Sequence, residues 1–293
     1  RDFLAAGDVV HVLHTVNRGW LLSQVPQVQS AFVAMDPRDG ATVALSGGFD
    51  FYSSNYNRAV QARRQPGSSF KPFIYSAALE HGFTPATLVN DAPLVFGDSE
   101  LEEEWRPENN SREFNGPTRL REALVKSLNL VSVRVLMGTG VAAAIEHVKA
   151  FGFDDDALPH NLSLALGSGG ASPWDMATGY CAFANGGHRV THYFIDRIED
   201  ASGGVVFQAA PAIACASCER VTLPMEGRSD AVPPGQENAV AAPAPEIARV
   251  VAGSPFAEPL GDAGGAGPGA NPSGMALAPR IITAENAFLI YDM

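Results

Sequence analysis

The 293-residue chain carries a formal charge of −12 and 46% hydrophobic residues, enough apolar content to pack one large domain or two ordinary ones. Its acidity argues against nucleic acid as a partner, because a phosphate-binding surface needs clustered Lys and Arg. No uninterrupted apolar run reaches the roughly 18–20 residues that cross a bilayer.

In chain order, RDFLAAGDVVHVLHTVN leads through Gly7-Asp8 into a short β-like run with no start of its own. Residues 1–20 are therefore expected to be the tail of a preceding domain or a linker. Residues 31–48, AFVAMDPRDGATVALSGG, predict a β-hairpin in which Pro37 sets one turn torsion and Gly40 supplies a positive φ. Helices are predicted over 68–81, over part of 118–138 from a Thr118 cap, and over 141–151. Residues 172–185 predict another, with a Ser172 cap, Pro173 in its first turn and Gly186-Gly187 ending it. A second hairpin is predicted over 190–209, turning at Ala201-Ser202-Gly203-Gly204.

From about 209 to 280, Pro, Ala and Gly dominate and periodicity vanishes. Such a stretch cannot bury enough apolar surface to offset its ordering entropy, so a mobile insertion or long loop is expected. The final run, ITAENAFLIYDM, starts at a Thr283 cap and stops after about three turns without a Gly, Asn or basic C-cap. The sequence is accordingly expected to be a piece of a longer protein. Of the cysteines, Cys181, Cys215 and Cys218 set no clear compartment. Cys215 and Cys218 have CxxC spacing, but no second Cys or His pair lies near enough to complete a zinc site; an incidental pair or a local disulfide is expected. His188 and His192 flank a predicted strand with no metal-ligand partners in view. Trp105 and Trp174 read as packing anchors, and Glu100–Glu104 as a solvated edge.

Lysine occurs only at 71, 126 and 149, which draws attention to RQPGSSFKPFIYSAALEH (64–81). On a helix, Ser68 and Lys71 at i and i+3 share a face. A serine hydroxyl becomes nucleophilic when a neighbour takes its proton, and a lysine can do that once burial destabilises its ammonium. The apolar run after Lys71 would supply the burial, and the helix start offers free N–H groups to an anionic intermediate. Pro72 is tolerable only near a helix start. Within TRLREALVKSLNLVSVRVL, Ser127 and Asn129 flank Leu128. If they lie at the C-terminal end of the helix capped by Thr118, the leucine anchors while a hydroxyl and an amide face a cleft. Either motif alone is weak.

With their surroundings, the two motifs make the sequence resemble the penicillin-binding proteins, specifically the transpeptidase domain of bifunctional class A enzymes of the 1A type. The resemblance rests on VAMDPRDGATVALSGGFDF, NRAVQARRQPGSSFKPFIYSAALEHGFTP, WRPENNSREFNGPTRLREALVKSLN and LALGSGGASPWDMATGYCAFANGG. It covers about residues 21–208 and 280–293, where ITAENAFLIYDM looks like the helix preceding the family's third motif. The resemblance implies an α+β fold of the penicillin-binding-protein and serine β-lactamase type, an antiparallel sheet with helices on both faces plus a helical subdomain, here incomplete. Residues 21–293 would form that domain, and GDVVHVL would be the tail of an OB-like insertion.

Carried over by motif, Ser68 is the implied nucleophile and Lys71 its base. Ser127 relays a proton toward the leaving amine, and Asn129 orients Lys71 and the substrate backbone. The third motif, Lys-Thr-Gly, is absent from the sequence, and truncation before it is the expected reason. The implied function is a peptidoglycan D,D-transpeptidase, cross-linking D-Ala-D-Ala stem peptides through an acyl-enzyme and acylated by β-lactams, without metal or organic cofactor. The parent protein is expected at the periplasmic face of the bacterial inner membrane, with an anchor and a glycosyltransferase domain outside this stretch. The 293 residues alone are expected to bind β-lactam poorly. The rivals are a serine β-lactamase or β-lactam sensor, separated by turnover, and a catalytically incomplete scaffold module.

Overall fold

The computed structural model describes residues 4–5, 7–94, 105–215 and 276–293. Two hairpins come first: β1 (His11–Thr15) with β2 (Gly19–Ser23), and β3 (Phe32–Met35) with β4 (Thr42–Ser46). A 3-10 turn, Gly67–Phe70, runs directly into α1 (Lys71–Glu80). β5 (Leu88–Asp91) pairs antiparallel with β6 (Gly116–Arg119), followed by α2 (Leu120–Val125), α3 (Asn129–Thr139) and α4 (Val141–Ala150). Then come 3-10 turns Asp155–Ala157 and Leu162–Leu166, α5 (Pro173–Ala184), the hairpin of β7 (Arg197–Glu199) and β8 (Val205–Gln208), and α6 (Ala284–Asp292).

α1 is the axis of the core. Phe73, Ile74, Tyr75, Ala77 and Ala78 are all fully buried, and α3, α4 and α6 pack around it. A helix apolar on nearly every face must be enclosed in this way. Around its first turns the rings of Phe70, Phe73, Phe151, Phe153, Tyr180 and Phe183 meet mostly edge to face, with centroids 4.9–5.9 Å apart, the arrangement favoured by the ring quadrupole. A Cβ on Gly179 would stand 3.0 Å from the Phe73 ring, so α5 approaches α1 closely at that point.

The α+β composition expected from the sequence is present. Among the described residues the strands pair two by two in four antiparallel ladders rather than in one continuous sheet. Several strand faces, including Phe32, Val43, Val206 and Phe207, are exposed. No single described helix is long and apolar enough to cross a membrane.

Most predicted element ends agree with the structure. Gly40 has φ +83°, and a Cβ there would meet Thr191 O at 2.4 Å. Ser172 and Asp175 form a reciprocal capping box at the start of α5. Thr283 caps α6 by accepting from Asn286 N–H.

Thr118 is a correction: it is no helix cap. It lies in β6 and its hydroxyl donates to Gly116 O, because the Gly-Pro-Thr-Arg segment is captured by pairing with β5. The helix predicted across 118–138 is broken in two at Lys126–Leu128.

The stretch predicted as a low-complexity insertion lies largely outside the described residues, as do Glu100–Glu104 and Cys218. Its described flanks meet each other: Ile213 N–H donates to Ala276 O, and Ala278 N–H donates to Ile213 O. Trp174 is buried, and Trp105 packs partly buried on the core. Cys181 is free and buried, while Cys215 is disulfide-bonded. Among the described residues no cluster of His, Cys, Asp or Glu could hold a metal.

Candidate active site

The turn bearing Ser68 is held from below by backbone. Gly67 N–H donates to Gly167 O at 3.1 Å. A Cβ on Gly167, which sits at φ +67°, would lie 2.1 Å from Gly67 O, so glycine is required there by both torsion and space. Arg64 and Ala171 exchange a pair of backbone hydrogen bonds at 3.0 Å. Ser69 Oγ donates to Pro66 O, and Tyr180 Oη donates to Ser69 O, each at 2.7 Å. Ser68 is exposed on this fixed turn, and its carbonyl accepts the Lys71 N–H. Ser68 therefore lies in a 3-10 turn rather than in the α-helix expected from the sequence, with Lys71 one turn on at the helix start.

Lys71 is the first residue of α1 and Pro72 the second, where the missing N–H costs no helical bond. The Lys71 side chain is fully buried. Its ammonium donates to Ser127 O at 2.7 Å, Ser127 Oγ at 3.0 Å and Asn129 Oδ1 at 2.8 Å. Three partners satisfy all three N–H bonds of an ammonium. Burial pulls its pKa from 10.5 to about 8, which brings the neutral amine closer to reach near neutral pH. Of the three partners, only the Ser127 hydroxyl has a hydrogen to return to that neutral amine. Ser127 and Lys71 can therefore pass a proton in either direction. The Ser68 hydroxyl makes no hydrogen bond among the described residues; what adjoins Lys71 most tightly is the second motif.

Ser127 and Asn129 are brought there by a helix break. Ser127 is the residue just past the α2 cap, at φ +54°. Its N–H donates to Leu124 O and that of Leu128 to Ala123 O, both at 2.9 Å, the paired bonds of a Schellman ending in which glycine is usual. Leu128 is buried against the core and Asn129 opens α3. The break turns the Ser127 carbonyl and hydroxyl and the Asn129 amide toward one point. Nearby, Tyr75 Oη donates to Ser132 Oγ at 3.1 Å, and Ser132 Oγ donates to Leu128 O at 2.8 Å, pinning the start of α3 to α1.

Sequence reasoning assigned no role to Asn109, Glu108 or Asp91. Asn109 Oδ1 accepts from the N–H groups of Asn129 and Leu130, and Glu108 O accepts from Asn129 Nδ2 at 2.8 Å. Three asparagines within NNSREFN were the available signal, but asparagine is common in loops and no periodicity set one apart. The other lysines do not approach the site: Lys126 pairs with Glu122, and Lys149 with Glu146 and Asp155.

Residues 30–224 match the family described as "Penicillin binding protein transpeptidase domain". Over 210 residues the chain is 53% identical to penicillin-binding protein 1A of Pseudomonas aeruginosa, covering 72% of this chain and 26% of that protein. The crystal structure of penicillin-binding protein 1A from Haemophilus influenzae superposes with a TM-score of 0.74 at 32% identity, covering 96% of this chain and 37% of that one. PonA1 of Mycobacterium tuberculosis in complex with penicillin V matches with a TM-score of 0.52 at 29% identity, over 62% of this chain and 50% of that one. The chain thus spans about a quarter of the curated relative's length.

Proposed function

Since this chain belongs to the penicillin-binding-protein transpeptidase family, we propose that it provides the acylation centre of a serine D,D-transpeptidase that cross-links peptidoglycan stem peptides. Ser68 is the nucleophile. Its Oγ bonds to the carbonyl carbon of the penultimate D-Ala as its proton passes to neutral Lys71. When the tetrahedral adduct collapses, the C–N bond breaks and the leaving D-Ala nitrogen takes a proton returned from Lys71 through Ser127. An amine of a neighbouring strand then attacks the acyl-enzyme carbonyl and its proton passes through Ser127 to Lys71. The ester C–O bond breaks as Lys71 hands that proton to Ser68 Oγ, forming the cross-link and freeing Ser68. A β-lactam enters by the same first step, its ring C–N bond taking the place of the peptide bond.

One observation carries this reading: a buried lysine, destabilised as an ammonium and bonded to Ser127 and Asn129, follows an exposed serine by one turn, its backbone N–H bonded to that serine's carbonyl. Asn129 fixes the amine through Oδ1. The contacts that the family draws from Lys-Thr-Gly are assigned to no residue of this chain, whose lysines are accounted for above. We place the parent protein at the periplasmic face of the inner membrane, with its anchor and glycosyltransferase domain outside this chain.

The test is covalent labelling of the full-length protein with a fluorescent penicillin and mapping of the adduct by peptide mass. The adduct is expected on Ser68, and Ser68→Ala should abolish it. Undiminished labelling of Ser68→Ala would refute the assignment. The 293-residue chain by itself is expected to label weakly.

A further inference from the structure

The Asn129 amide is oriented from outside its own helix. Its Oδ1 faces Lys71, its Nδ2 donates to Glu108 O at 2.8 Å, and its backbone N–H donates to Asn109 Oδ1 at 2.9 Å. Asn109 is only 3% exposed, and each of its polar atoms is used. Oδ1 also accepts from Leu130 N–H at 3.3 Å, while Nδ2 donates to Asp91 Oδ1 at 2.7 Å and to Glu113 O at 3.0 Å. Asp91 is fully buried. Its second oxygen accepts from Asn115 N–H at 2.9 Å and from Asn115 Nδ2 at 2.7 Å. Hydrogen bonds from the asparagines hold its carboxyl below the usual range against the opposing cost of burial, with the Arg134 charge adding to them.

A carboxylate taken out of water costs several kcal/mol unless fully hydrogen-bonded, and one left with a partner missing is costly. This one therefore fixes the 109–115 loop, and with it the two contacts that orient Asn129. α3 would form with any good cap; what the buried pair adds is the angular setting of its first side chain.

We propose that Asn109, held by the buried Asp91 carboxylate, is a positioning residue that sets the Asn129 amide against Lys71. The inference rests on the acylation centre described above. Misplacing a reacting group by about 1 Å can cost on the order of 10²-fold in rate, and that is the expected loss of penicillin acylation rate in Asn109→Ala. Asn109→Asp keeps the acceptor that caps α3 but sets a second carboxylate against Asp91, and should fall similarly. Combining Asn109→Asp with Asp91→Asn reverses the donor and acceptor of the pair and keeps the cap and both Asn115 contacts, but it loses the donor to Glu113 O, so it should recover the rate in part, by about tenfold over Asn109→Asp.

The readout is the acylation rate of full-length protein with fluorescent penicillin across pH 6–10, with melting temperatures measured in parallel. Loosening Asn129 removes an acceptor from the Lys71 ammonium, so the midpoint of the pH profile should move to lower pH in Asn109→Ala, which adds no charge of its own. A rate unchanged in the single variants, a slower Asn109→Ala with an unmoved midpoint, or an exchange no better than Asn109→Asp overturns the proposal. If Asn109→Ala does not fold, the two aspartate-bearing variants, which keep the cap, decide the matter. Failure of wild type to label, or labelling of Ser68→Ala, would instead overturn the acylation centre and this inference with it.

Discussion

Replacing Ser127 by glycine and, separately, by alanine tells apart what the backbone and the hydroxyl each contribute. Both variants lose the hydroxyl that bonds Lys71, so that loss cancels between them. The difference is the backbone: Ser127 lies at φ +54°, where a residue with a Cβ bears about 1–2 kcal/mol, while glycine bears none but loses about 0.4–1 kcal/mol through the freedom of its unfolded chain. Ser127→Gly should therefore be more stable than Ser127→Ala by about 1 kcal/mol, a difference of about 2–4 °C in melting temperature for a body of this size. Acylation by penicillin should fall in both by about 10²–10⁴-fold, the range for removing a proton-transfer group. Thermal melts and labelling time courses on the two proteins measure both quantities. A glycine variant no more stable than the alanine variant would refute the strained ending of α2. Near-wild-type acylation in either would refute the proton path through Ser127.

Three further outcomes are expected. Since burial lowers Lys71 to about 8 and only its neutral form accepts a proton, the acylation rate should rise about tenfold per pH unit below that value and level off above it; a flat stopped-flow profile from pH 6 to 8 would count against Lys71 as base. His147 is held near 4 by desolvation, against 6.5 when free, so the unfolded chain binds the extra proton in that window. Stability should be full above about pH 6.5 and fall toward pH 4 by up to about 3 kcal/mol, less the screening at a half-buried ring. His147→Gln should flatten that slope in urea titrations. Gly167→Ala drives a Cβ to 2.1 Å from Gly67 O and should cost about 2–3 kcal/mol while slowing acylation through the displaced Ser68 turn; a melting temperature within 1–2 °C of wild type would show that the two loops are free to part.

The protonation state of the His147 neighbourhood follows from donor counting. Asn286 spends both amide hydrogens on Ser76 O and Glu80 Oε1, so its Oδ1 must accept from Ser76 Oγ at 2.8 Å. Ser76 then has only its lone pair for His147 at 2.9 Å, which places a proton on His147 Nε2. This network ties α1, α4 and α6 together through the C-terminal half of α1. Glutamine at 147 keeps a donor for Ser76, which is why it suits the titration.

Local chemistry sufficed where one segment contains its own partners. The capping box of Ser172 and Asp175, the Gly40 turn and the Pro72 position each follow from residues within a few places of one another. The burial of Lys71 was legible from the apolar run after it, since a helix that is apolar on all sides must be enclosed. Thr118 was misjudged because a threonine before a leucine-rich run suits a cap and a strand equally, and the partner that decides, β5, lies some thirty residues earlier. The left-handed torsion at Ser127 had no local mark, as glycine was not there to give it away.

The sequence singled out Ser68, Lys71, Ser127 and Asn129 as candidates for acyl-transfer chemistry through its motifs together with the family resemblance they carry; spacing alone was weak, because a serine three places before a lysine recurs by chance. Which atoms face the lysine was settled only in three dimensions. Ser127, Asn129, Asn109 and Asp91 come from separate segments, and their orientations depend on hydrogen bonds that exist only after the helix break and the buried loop have packed against α1.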